Sequence, residues 1–593
     1  MSKQVKTYSR IEIALIIGIL AIASFWTWIF FRPPPLDDAY VTLRYAQHFL
    51  QGHGLVFNLG EHVESYSSYL CQMLTCFGVF LGIPGDVFLQ GQGVFCYFLT
   101  LLLLMRFAKR QIGRHCLYLC IPILYAFSLA NSFWSGIGLE TMLFSFLLLS
   151  SIVFYLQFNQ TRWQRIFVGV WCCLLSLSRP EAVAYYALIL IFEFFYQWLV
   201  RREINFVYLL EYSAGLVIFI FYVFSRWEYY GYVMPNTYYQ KVGYNVTVWH
   251  HGFDYLREFI NFNVGGCLVL FLVVVYGVFF RRDRVWWLFF LIFLMFSGIV
   301  VLSGGNNWPF WRYAMPCQPL LLVLIGIFIN DALLCADKLK GCWSLLLRTS
   351  VLFLFSTILL SSSVGILLNP SSFGFSENNQ RFHAIAKFYG QAFQLMLSSH
   401  QSISLNALPF VAYYYGGWAY DPLGLTDSKI AHRKVEMGKR VYSHEKGDGR
   451  YILGVRPTVI CFGPGLNLVD RPNVDYPRLE DLYFISDIEI VREGDFKRLY
   501  EPYNIYIPTA KMYLSFYKLK DQSIKVPIDQ INLIYQTLMR KEDTFKDRLA
   551  AKASFLASYL DKSFFSRVRL NLMRVIQLEK VADEKDGRIN SNL

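Results

Sequence analysis

Two adjacent aspartates, Asp37 and Asp38, open a predicted helix over residues 39–52 that ends at Gly52. Neighbouring residues of a helix point about 100° apart, so one aspartate can face a site while the other caps the helix, binds a metal or orients the first. A carboxylate in such a place can accept the proton of a hydroxyl group that attacks an anomeric carbon. Alternatively, both acidic residues only favour the start of the helix through its dipole.

Three basic residues, Arg179, Arg312 and Lys241, lie in loops that also carry aromatic, Gly or Pro residues. Arg and Lys bind phosphate groups through charge-assisted hydrogen bonds. We therefore predict that these three side chains bind the phosphate of a donor substrate. The alternative for each is a cation at the membrane interface, where long basic side chains reach toward water.

A further set of polar and aromatic residues lies in the same group of loops and is of types that bind sugars. Carboxylates and amides hydrogen-bond hydroxyl groups, and aromatic rings stack on sugar rings. Ordinary roles are open for each of them as well, namely a local salt bridge, a turn or the interfacial belt of Trp and Tyr. The predicted substrate-binding residues are Arg44, His48, Glu140, Glu181, Tyr230, Asn236, Trp311, His444 and Lys446.

A divalent cation is the one cofactor that the sequence brings into consideration. Hard oxygen ligands suit Mg²⁺, Mn²⁺ or Ca²⁺, and Asp38 is the predicted ligand. The chain has 12 cysteines, most of them in apolar runs. No CxxC pair and no Cys/His spacing of a zinc site is present, so neither disulfides nor structural zinc are expected.

The composition places these residues in a membrane protein. Of 593 residues, 55% are hydrophobic and 16% charged, and the mean hydropathy is +0.37, whereas soluble domains carry about 25% charged residues. A membrane helix needs roughly 20 apolar residues, and about eleven stretches are predicted to span the bilayer. They cover residues 11–31, 87–105, 115–133, 139–158, 166–178, 182–200, 205–225, 264–280, 285–303, 316–334 and 349–367.

The net charge of +13 indicates membrane orientation rather than nucleic-acid binding. Alternate loops hold 17 Lys and Arg against 3 Asp and Glu, and short basic loops lie in the cytoplasm. The N-terminus is therefore predicted in the cytoplasm, and the loops with the candidate site residues on the outer side. The basic segments are residues 1–10, 106–114, 159–165, 201–203, 281–284 and 336–348.

Three regions are predicted along the chain. Residues 1–368 form a membrane module whose first external loop is 32–86. Residues 369–526 carry short strand-like runs punctuated by Gly and Pro, such as 484–493, and form a mixed α/β domain outside the cytoplasm. Residues 527–593 form a helical extension with a disordered tail.

An ordered set of short strings runs from the first external loop into the predicted α/β domain. The strings are residues 37–40, 44–46, 52–58, 63–66, 135–141, 179–181, 229–231, 235–238, 304–305, 311–313, 424–427, 430–432 and 444–446. Together they resemble the GT-C membrane glycosyltransferases, and most closely the branch of terminal arabinofuranosyltransferases of actinobacterial cell walls and their bacterial relatives. The resemblance departs at Asn306, where relatives often carry Asp, and at the inserted Ile137.

The resemblance implies a GT-C fold and an enzyme of the bacterial cytoplasmic membrane. Such enzymes move a sugar from a polyprenyl-phosphate donor to a hydroxyl of an envelope glycan, lipid or protein, with inversion, on the outer face. By position, Asp37 corresponds to the base of the family and Asp38 to its second acid.

Two other functions are open from the residues alone. One is a multi-span transporter or flippase for a lipid-linked saccharide, although the repeated halves that many transporters show are not visible. The other is a non-catalytic scaffold of the envelope. Membrane lipids are expected partners in every case, and nucleic acid in none.

Overall fold

We describe the fold from a computed structural model of the chain. It describes residues 10–30, 35–112, 118–243, 245–306, 308–367, 370–406, 408–438, 444–463, 466 and 468–539. Residues 1–528 belong to one compact unit and residues 529–593 to a second. In the second unit, residues 529–539 are helical, and the predicted disordered tail lies outside the described residues.

Helices make up most of the chain up to residue 396. They are α1 Arg10–Phe30, α2 Asp37–Leu50, α3 Tyr69–Phe80, α4 Gly85–Ile112, α5 Cys120–Phe127, α6 Leu129–Gly136, α7 Thr141–Gln157, α8 Arg162–Ser178, α9 Ala182–Tyr196, α10 Phe206–Tyr212, α11 Ala214–Tyr230, α12 Asn236–Lys241, α13 Val246–Val264, α14 Cys267–Phe280, α15 Arg284–Ser303, α16 Gln318–Lys338, α17 Cys342–Leu367 and α18 Pro370–Met396. A π-helical turn, Gln197–Arg201, extends α9, and a 3-10 turn, Met315–Cys317, precedes α16.

Six helical segments of the described chain are long and apolar enough to cross a membrane, namely α1, α4, α15, extended α9, α16 with its 3-10 turn, and α17 up to Ser362. Three bent pairs, α6–α7, α10–α11 and α13–α14, pass the same test together, which gives up to nine spans. The predicted polytopic helical fold is confirmed, with six to nine spans in place of about eleven. The numbers differ because the predicted span 115–133 breaks at Ser128, where ψ is 104°, and because α8 has only 17 residues.

The helices carry basic residues at one end and predicted site residues at the other. Helix α8 begins at Arg162 and ends just before Arg179, and α15 begins at Arg284 and ends just before Gly304. At 1.5 Å per residue, each helix separates its two ends by about 25–30 Å. At the basic end the buried Glu193 accepts a hydrogen bond from Arg284 at 2.8 Å, which provides the partner that a buried carboxylate needs.

Helices α8 and α11 approach each other through two glycines. A Cβ on Gly215 would lie 2.0 Å from the carbonyl oxygen of Gly169, and a Cβ on Gly169 would lie 2.4 Å from the carbonyl oxygen of Tyr212. Small residues allow such close backbone approach between helices in membranes. Because Arg179 follows the end of α8, this crossing helps to fix where Arg179 enters the site.

A five-stranded mixed sheet follows the helices, in the order β2-β1-β3-β5-β4. Strands β2, β1 and β3 are parallel, while β5 pairs antiparallel with both β3 and β4. The predicted mixed α/β character of the C-terminal part is confirmed. The strands are β1 Ser402–Leu405, β2 Trp418–Tyr420, β3 Val459–Cys461, β4 Tyr500–Ile507 and β5 Met512–Leu519.

Short helices connect the strands and cover the sheet. They are α19 Leu408–Tyr415, α20 Ser428–Ala431, α21 Gly449–Val455, α22 Ile485–Arg492 and α23 Gly494–Leu499, with a 3-10 turn at Leu479–Asp481. The prediction of a strand-like run at 484–493 is wrong, because this run is α22. Its buried Asp487 and Ile490 are three residues apart, which places them on one face of a helix, and Ile490 packs in a core with Ile460.

The α8–α11 crossing predicts a stability difference between two glycine variants. Gly215→Ala adds a methyl group against the main chain of Gly169, and we expect this overpacking to cost about 1–3 kcal/mol. Gly298→Ala is the matched control, because nothing lies within 4 Å of a Cβ at Gly298 in the apolar helix α15. Melting temperatures in detergent check the prediction, and equal values for the two variants would contradict it.

Candidate active site

A cavity of about 400 Å³ lies at the end of the helices opposite the basic residues. Its walls come from the start of α2, the loop before α3, the bend between α6 and α7, the end of α8, α12, and the segments around the end of α15. Leu425, from the loop after β2, also lines it. The cavity brings together six residues predicted for the site, namely Asp38, Glu140, Glu181, Arg179, Arg312 and Lys241.

Five of these side chains form a row of alternating charge. Arg312 Nη1 lies 3.3 Å from Asp38 Oδ2, and Arg312 Nη2 donates to the two oxygens of Glu140 at 3.3 and 3.2 Å. Arg179 donates from Nη1 to Glu140 at 3.0 Å and from Nε to Glu181 at 2.6 Å. None of the five side chains is more than 22% exposed, so each charge depends on its neighbours for compensation.

A strained backbone turn directs Arg312 into the cavity. The two preceding residues, Phe310 and Trp311, have φ values of 55° and 51°, a region that is costly for residues with a Cβ. The indole N–H of Trp134 donates to the carbonyl of Phe310 at 3.0 Å, and Trp311 stacks on Phe262 with ring centroids 5.0 Å apart. Trp311, predicted to bind substrate, therefore supports the turn and is not among the residues that line the cavity.

Glu140 and Arg179 come from two helix junctions. Glu140 lies in the break between α6 and α7, where the chain bends by 117°, and Gly138 with φ +79° allows the turn before it. Arg179 caps the C-terminus of α8, and Pro180, which follows it, has no N–H with which to continue that helix. The guanidinium of Arg179 also lies 4.8 Å from the ring centre of Tyr313.

Lys241 is the last residue of α12 and lines the same cavity. Within the described part of the chain, no carboxylate oxygen lies within 4 Å of its ammonium group. The two arginines of the cavity, in contrast, are each engaged by two carboxylates. Lys241 is therefore the cavity cation that an anionic ligand can approach without displacing a protein carboxylate.

The two aspartates at the start of α2 differ in position and in acidity. Asp38 lines the cavity, and its main-chain N–H donates to Oδ1 of Asp37 at 2.9 Å; Asp37 is not a lining residue. Burial, and then the charge of Asp38, raise the pKa of Asp37 to about 7. Burial also acts to raise the pKa of Asp38, but Lys241 and Arg312 outweigh it and hold that pKa below the ordinary value. The two carboxyl groups therefore differ in acidity, with the proton held more strongly by Asp37 than by Asp38.

Arg44 and His48, predicted to bind substrate from one face of α2, contact main-chain carbonyls instead of the cavity. Arg44 Nε donates to Phe57 at 2.7 Å and Nη2 to Gly417 at 2.7 Å, while Nη1 donates to a carbonyl of α19. His48 Nδ1 lies 2.9 Å from the carbonyl of Val56. Arg44 thus connects α2 and its following loop to the segment that leads into β2.

The other predicted substrate residues surround the cavity without lining it. The hydroxyl of Tyr230 donates to a main-chain carbonyl of the first external loop at 2.9 Å. Asn236 and Lys446 also bind main-chain carbonyls. His444 lies close enough to Asp38 for its charge to add to the lowering of the pKa of Asp38.

Sequence reasoning missed a set of hydroxyl groups in the cavity wall. Tyr66, Tyr238 and Tyr313 line the cavity, and hydroxyl groups can both donate to and accept from sugar hydroxyls and phosphate oxygens. Each of these tyrosines lies in a string that resembles the GT-C pattern, so the same strings could have indicated them. The remaining side chains of this kind are Thr42, Ser65, Ser67, Ser68, Thr237 and Ser303, with the amide of Asn306.

The residues of the cavity do not form a cation site held by the protein alone. In the described ranges, no three His, Cys, Asp or Glu side chains come together as ligands of a metal ion. Asp38 and Glu140 both contact Arg312, whereas Ca²⁺ and Mg²⁺ are held by several oxygen ligands free of such competition. The role of Asp38 as a metal ligand stays a prediction.

No protein-family model matches the chain, and no curated protein matches it. Among solved structures, the chain is similar to ArnT from Cupriavidus metallidurans in the apo state, with 14% identity and a TM-score of 0.48 over 69% of this chain and 85% of ArnT. The same protein bound to undecaprenyl phosphate matches with 13% identity and a TM-score of 0.46 over the same shares.

A second solved structure is the archaeal oligosaccharyltransferase AglB from Archaeoglobus fulgidus, in complex with an inhibitory peptide and a dolichol-phosphate. It matches with 10% identity and a TM-score of 0.42 over 87% of this chain and 75% of AglB. Because these similarities are distant, we infer the function from the residues of the cavity itself.

The contacts of Arg44 predict a stability effect without a binding effect. Arg44→Met leaves buried carbonyls unpaired, and we expect the free energy of unfolding to fall by about 3 kcal/mol, with an unchanged KM for substrate. Arg456→Met is the control, because Arg456 forms a surface pair with Asp521 and is 49% exposed, and such pairs contribute about 0–1 kcal/mol. Thermal unfolding and KM measured on the same preparations check this, and a raised KM at wild-type stability would restore a substrate role.

Proposed function

We propose that the protein is an inverting glycosyltransferase of the GT-C type that moves a sugar from a polyprenyl-phosphate donor to a hydroxyl of a cell-envelope acceptor. The observation that carries the proposal is a cavity that combines Asp38, whose main-chain N–H donates to Asp37, with three cations at one end of a bundle of membrane-length helices. Transfer from a lipid phosphate needs both, because the acceptor must lose a proton and the leaving phosphate gains charge. The resemblance of residues 37–40 and 179–181 to GT-C strings supports the same reaction.

We assign the donor phosphate to Lys241 and Arg312. No described carboxylate oxygen lies within 4 Å of the Lys241 ammonium group, and Nε of Arg312 is buried without a described hydrogen-bond partner. As the bond between sugar and phosphate breaks, negative charge grows on the phosphate oxygens, and fixed cations in a water-poor cavity stabilise that charge in the transition state. Arg179, engaged by Glu140 and Glu181, adds positive charge to the same cavity.

We assign the acceptor hydroxyl to the Asp37–Asp38 pair. The hydroxyl oxygen attacks the anomeric carbon while the bond from that carbon to the phosphate oxygen breaks, and the bonding electrons leave with the phosphate. The hydroxyl proton passes to the aspartate pair. Attack from the face opposite the phosphate inverts the anomeric configuration. Asp38 accepts the proton because it lines the cavity, and the charge of deprotonated Asp37 beside it makes Asp38 a stronger base.

We further propose that the cavity and the sheet lie on the outer side of a bacterial cytoplasmic membrane. The basic ends of α8 and α15 lie at the opposite end of the bundle, and short basic loops are cytoplasmic. In this arrangement residues 1–368 form the catalytic membrane module, residues 369–526 an extracytoplasmic region, and residues 527–593 a C-terminal extension.

Replacement of the aspartates tests the proposal. With labelled polyprenyl-phosphate sugars as donors, we expect Asp38→Asn and Asp37→Asn each to lower the transfer rate by roughly 10²–10⁴-fold, the usual contribution of a general base. Asp86→Asn is the matched control, since Asp86 also lies in the first turn of a helix and accepts the next N–H at 2.9 Å, but is exposed and outside the cavity. Full transfer by both test variants would exclude the pair as base. If the wild-type protein moves a lipid-linked saccharide across the membrane of vesicles without forming a glycosidic bond, the result would favour the transporter hypothesis.

The acidity of the pair predicts the pH dependence of transfer. The base must be deprotonated, so the rate should rise about tenfold per pH unit below about 7 and level off above it, because the pKa of Asp37 is raised to about 7. In Asp37→Asn the remaining Asp38 has a low pKa and no carboxylate neighbour in the pair, so the residual rate should be flat between pH 6 and about 8. Rate profiles of wild type and Asp37→Asn check this, and a flat wild-type profile would contradict it.

A further inference from the structure

The sheet region, residues 402–519, binds α12, the short helix that brings Lys241 into the cavity. The side-chain amide of Asn236 donates to the carbonyl oxygens of Gly424 and Leu425 at 2.8 and 2.9 Å. Gln240 Nε2 donates to the carbonyl of the residue before them at 3.2 Å. Both side chains project from α12, so the loop after β2 binds this helix along its length.

Lys446 holds α12 from a second position in the sheet region. Its Nζ donates to the carbonyl of Tyr239 in α12 at 2.9 Å and to the carbonyl of Ala431 in α20 at 2.6 Å. Lys446 is only 7% exposed, so its ammonium depends on these contacts for compensation. One buried side chain therefore connects α12 to α20.

Ring contacts reinforce the same junction. His432, at the end of α20, lies between Tyr232 and Tyr239, with ring centroids 4.2 Å away on each side. Its Nδ1 lies 2.8 Å from the carbonyl of Ser428, which fixes the orientation of the imidazole. The segment before α12 and α12 itself are thus packed against one ring of the sheet region.

The loop that binds α12 is itself rigid. Asp421 accepts main-chain N–H groups of Leu423 and Thr426, both at 2.9 Å. Asp427 caps α20 by accepting the N–H of Ile430 at 3.1 Å. These bonds within the loop help to fix the carbonyls that receive the Asn236 amide.

We propose that Lys446 is a positioning residue that sets the affinity for the donor phosphate by fixing α12 and, through it, Lys241. A helix of six residues has no stability of its own, so the place of Lys241 depends on contacts such as those of Lys446 and Asn236. This inference rests on the phosphate role of Lys241 in the proposed function. Lys446 does not line the cavity and acts only through α12.

Binding of undecaprenyl phosphate to purified full-length protein in detergent tests the inference. We expect Lys446→Met to weaken the dissociation constant about tenfold, in line with coupling between residues of one network. Lys446→Arg, which keeps the charge and the donors, should restore part of the affinity. Lys518→Met is the control, because Lys518 is 8% exposed and its Nζ also donates to two main-chain carbonyls, at 3.4 and 3.0 Å, away from α12. Lys518 Nζ pairs with Glu501 at 3.0 Å as well, so this control removes at least as many contacts as Lys446→Met.

A double-mutant cycle separates positioning from general destabilisation. If Lys446 acts through Lys241, then Lys446→Met should cause no further loss of affinity in the Lys241→Ala background. Effects that multiply in the double variant, or an equal loss in Lys518→Met, would overturn the inference. Should Lys446→Met fail to fold, Gln240→Met, which removes the Leu423 contact at similar side-chain volume, takes its place in the same cycle with the same expected result.

The two proposals fail in different ways. If the effects of Lys446→Met and Lys241→Ala on phosphate binding are not additive, but the protein transfers no sugar, the glycosyltransferase is rejected and the positioning role is kept. Transfer that depends on Asp38, with additive effects of Lys446 and Lys241 on binding, would keep the enzyme and reject the positioning role. In an active enzyme, Lys446→Met should raise the KM for the donor more than it lowers kcat. The reason is that a donor, once bound, holds Lys241 in its place through the phosphate.

Discussion

The row of opposite charges from Asp38 to Glu181 is the constraint on which the site depends. Its members come from the start of α2, the segment after α15, the break between α6 and α7, and the end of α8, so it connects parts of the chain that are distant in sequence. Removing one partner of a buried pair leaves the other charge uncompensated, at a cost of about 3–5 kcal/mol. The row therefore fixes the relative positions of these four segments, and it pairs both arginines with carboxylates.

The two ends of the helix bundle differ in the charge of the residues that gather there. Arg284 and Glu193 form a buried pair at the end where the basic loops gather, and the surrounding arginines are far from the cavity. At the other end, acids and cations balance within a small volume lined by hydroxyl groups. The sugar and phosphate of the proposed donor would bind at the second end, where cations and hydroxyl groups line the cavity. The first end offers mainly positive charge next to the membrane surface.

The sequence predicted the membrane helices, the C-terminal sheet and six cavity residues, because these depend on patterns that are local in the chain. Apolar length and loop charge indicate spans, and charged residues next to Gly or Pro indicate helix ends, which meet at one face of a bundle. The targets of Arg44 and Lys446 could not be predicted, since main-chain carbonyls of distant loops leave no signature in residue types. The helix α22 was missed because Ile residues alternating with acids suit a strand as well as a short helix. The break at Ser128 was missed for a related reason, since its residue types are those of a continuous helix.

The support of α12 by the sheet region has a consequence for biosynthesis. Lys446 follows Asp38 by about 400 residues, which at about 5–20 residues per second is roughly 20–80 s of translation. During that interval the aspartates, Arg179 and Lys241 have been synthesised, but α2 and α12 lack their partners between residues 412 and 446. The positions of Lys241 and of the aspartates are therefore completed only after the sheet region has been synthesised. In the proposed glycosyltransferase, a partly synthesised chain thus lacks a complete site for the donor phosphate.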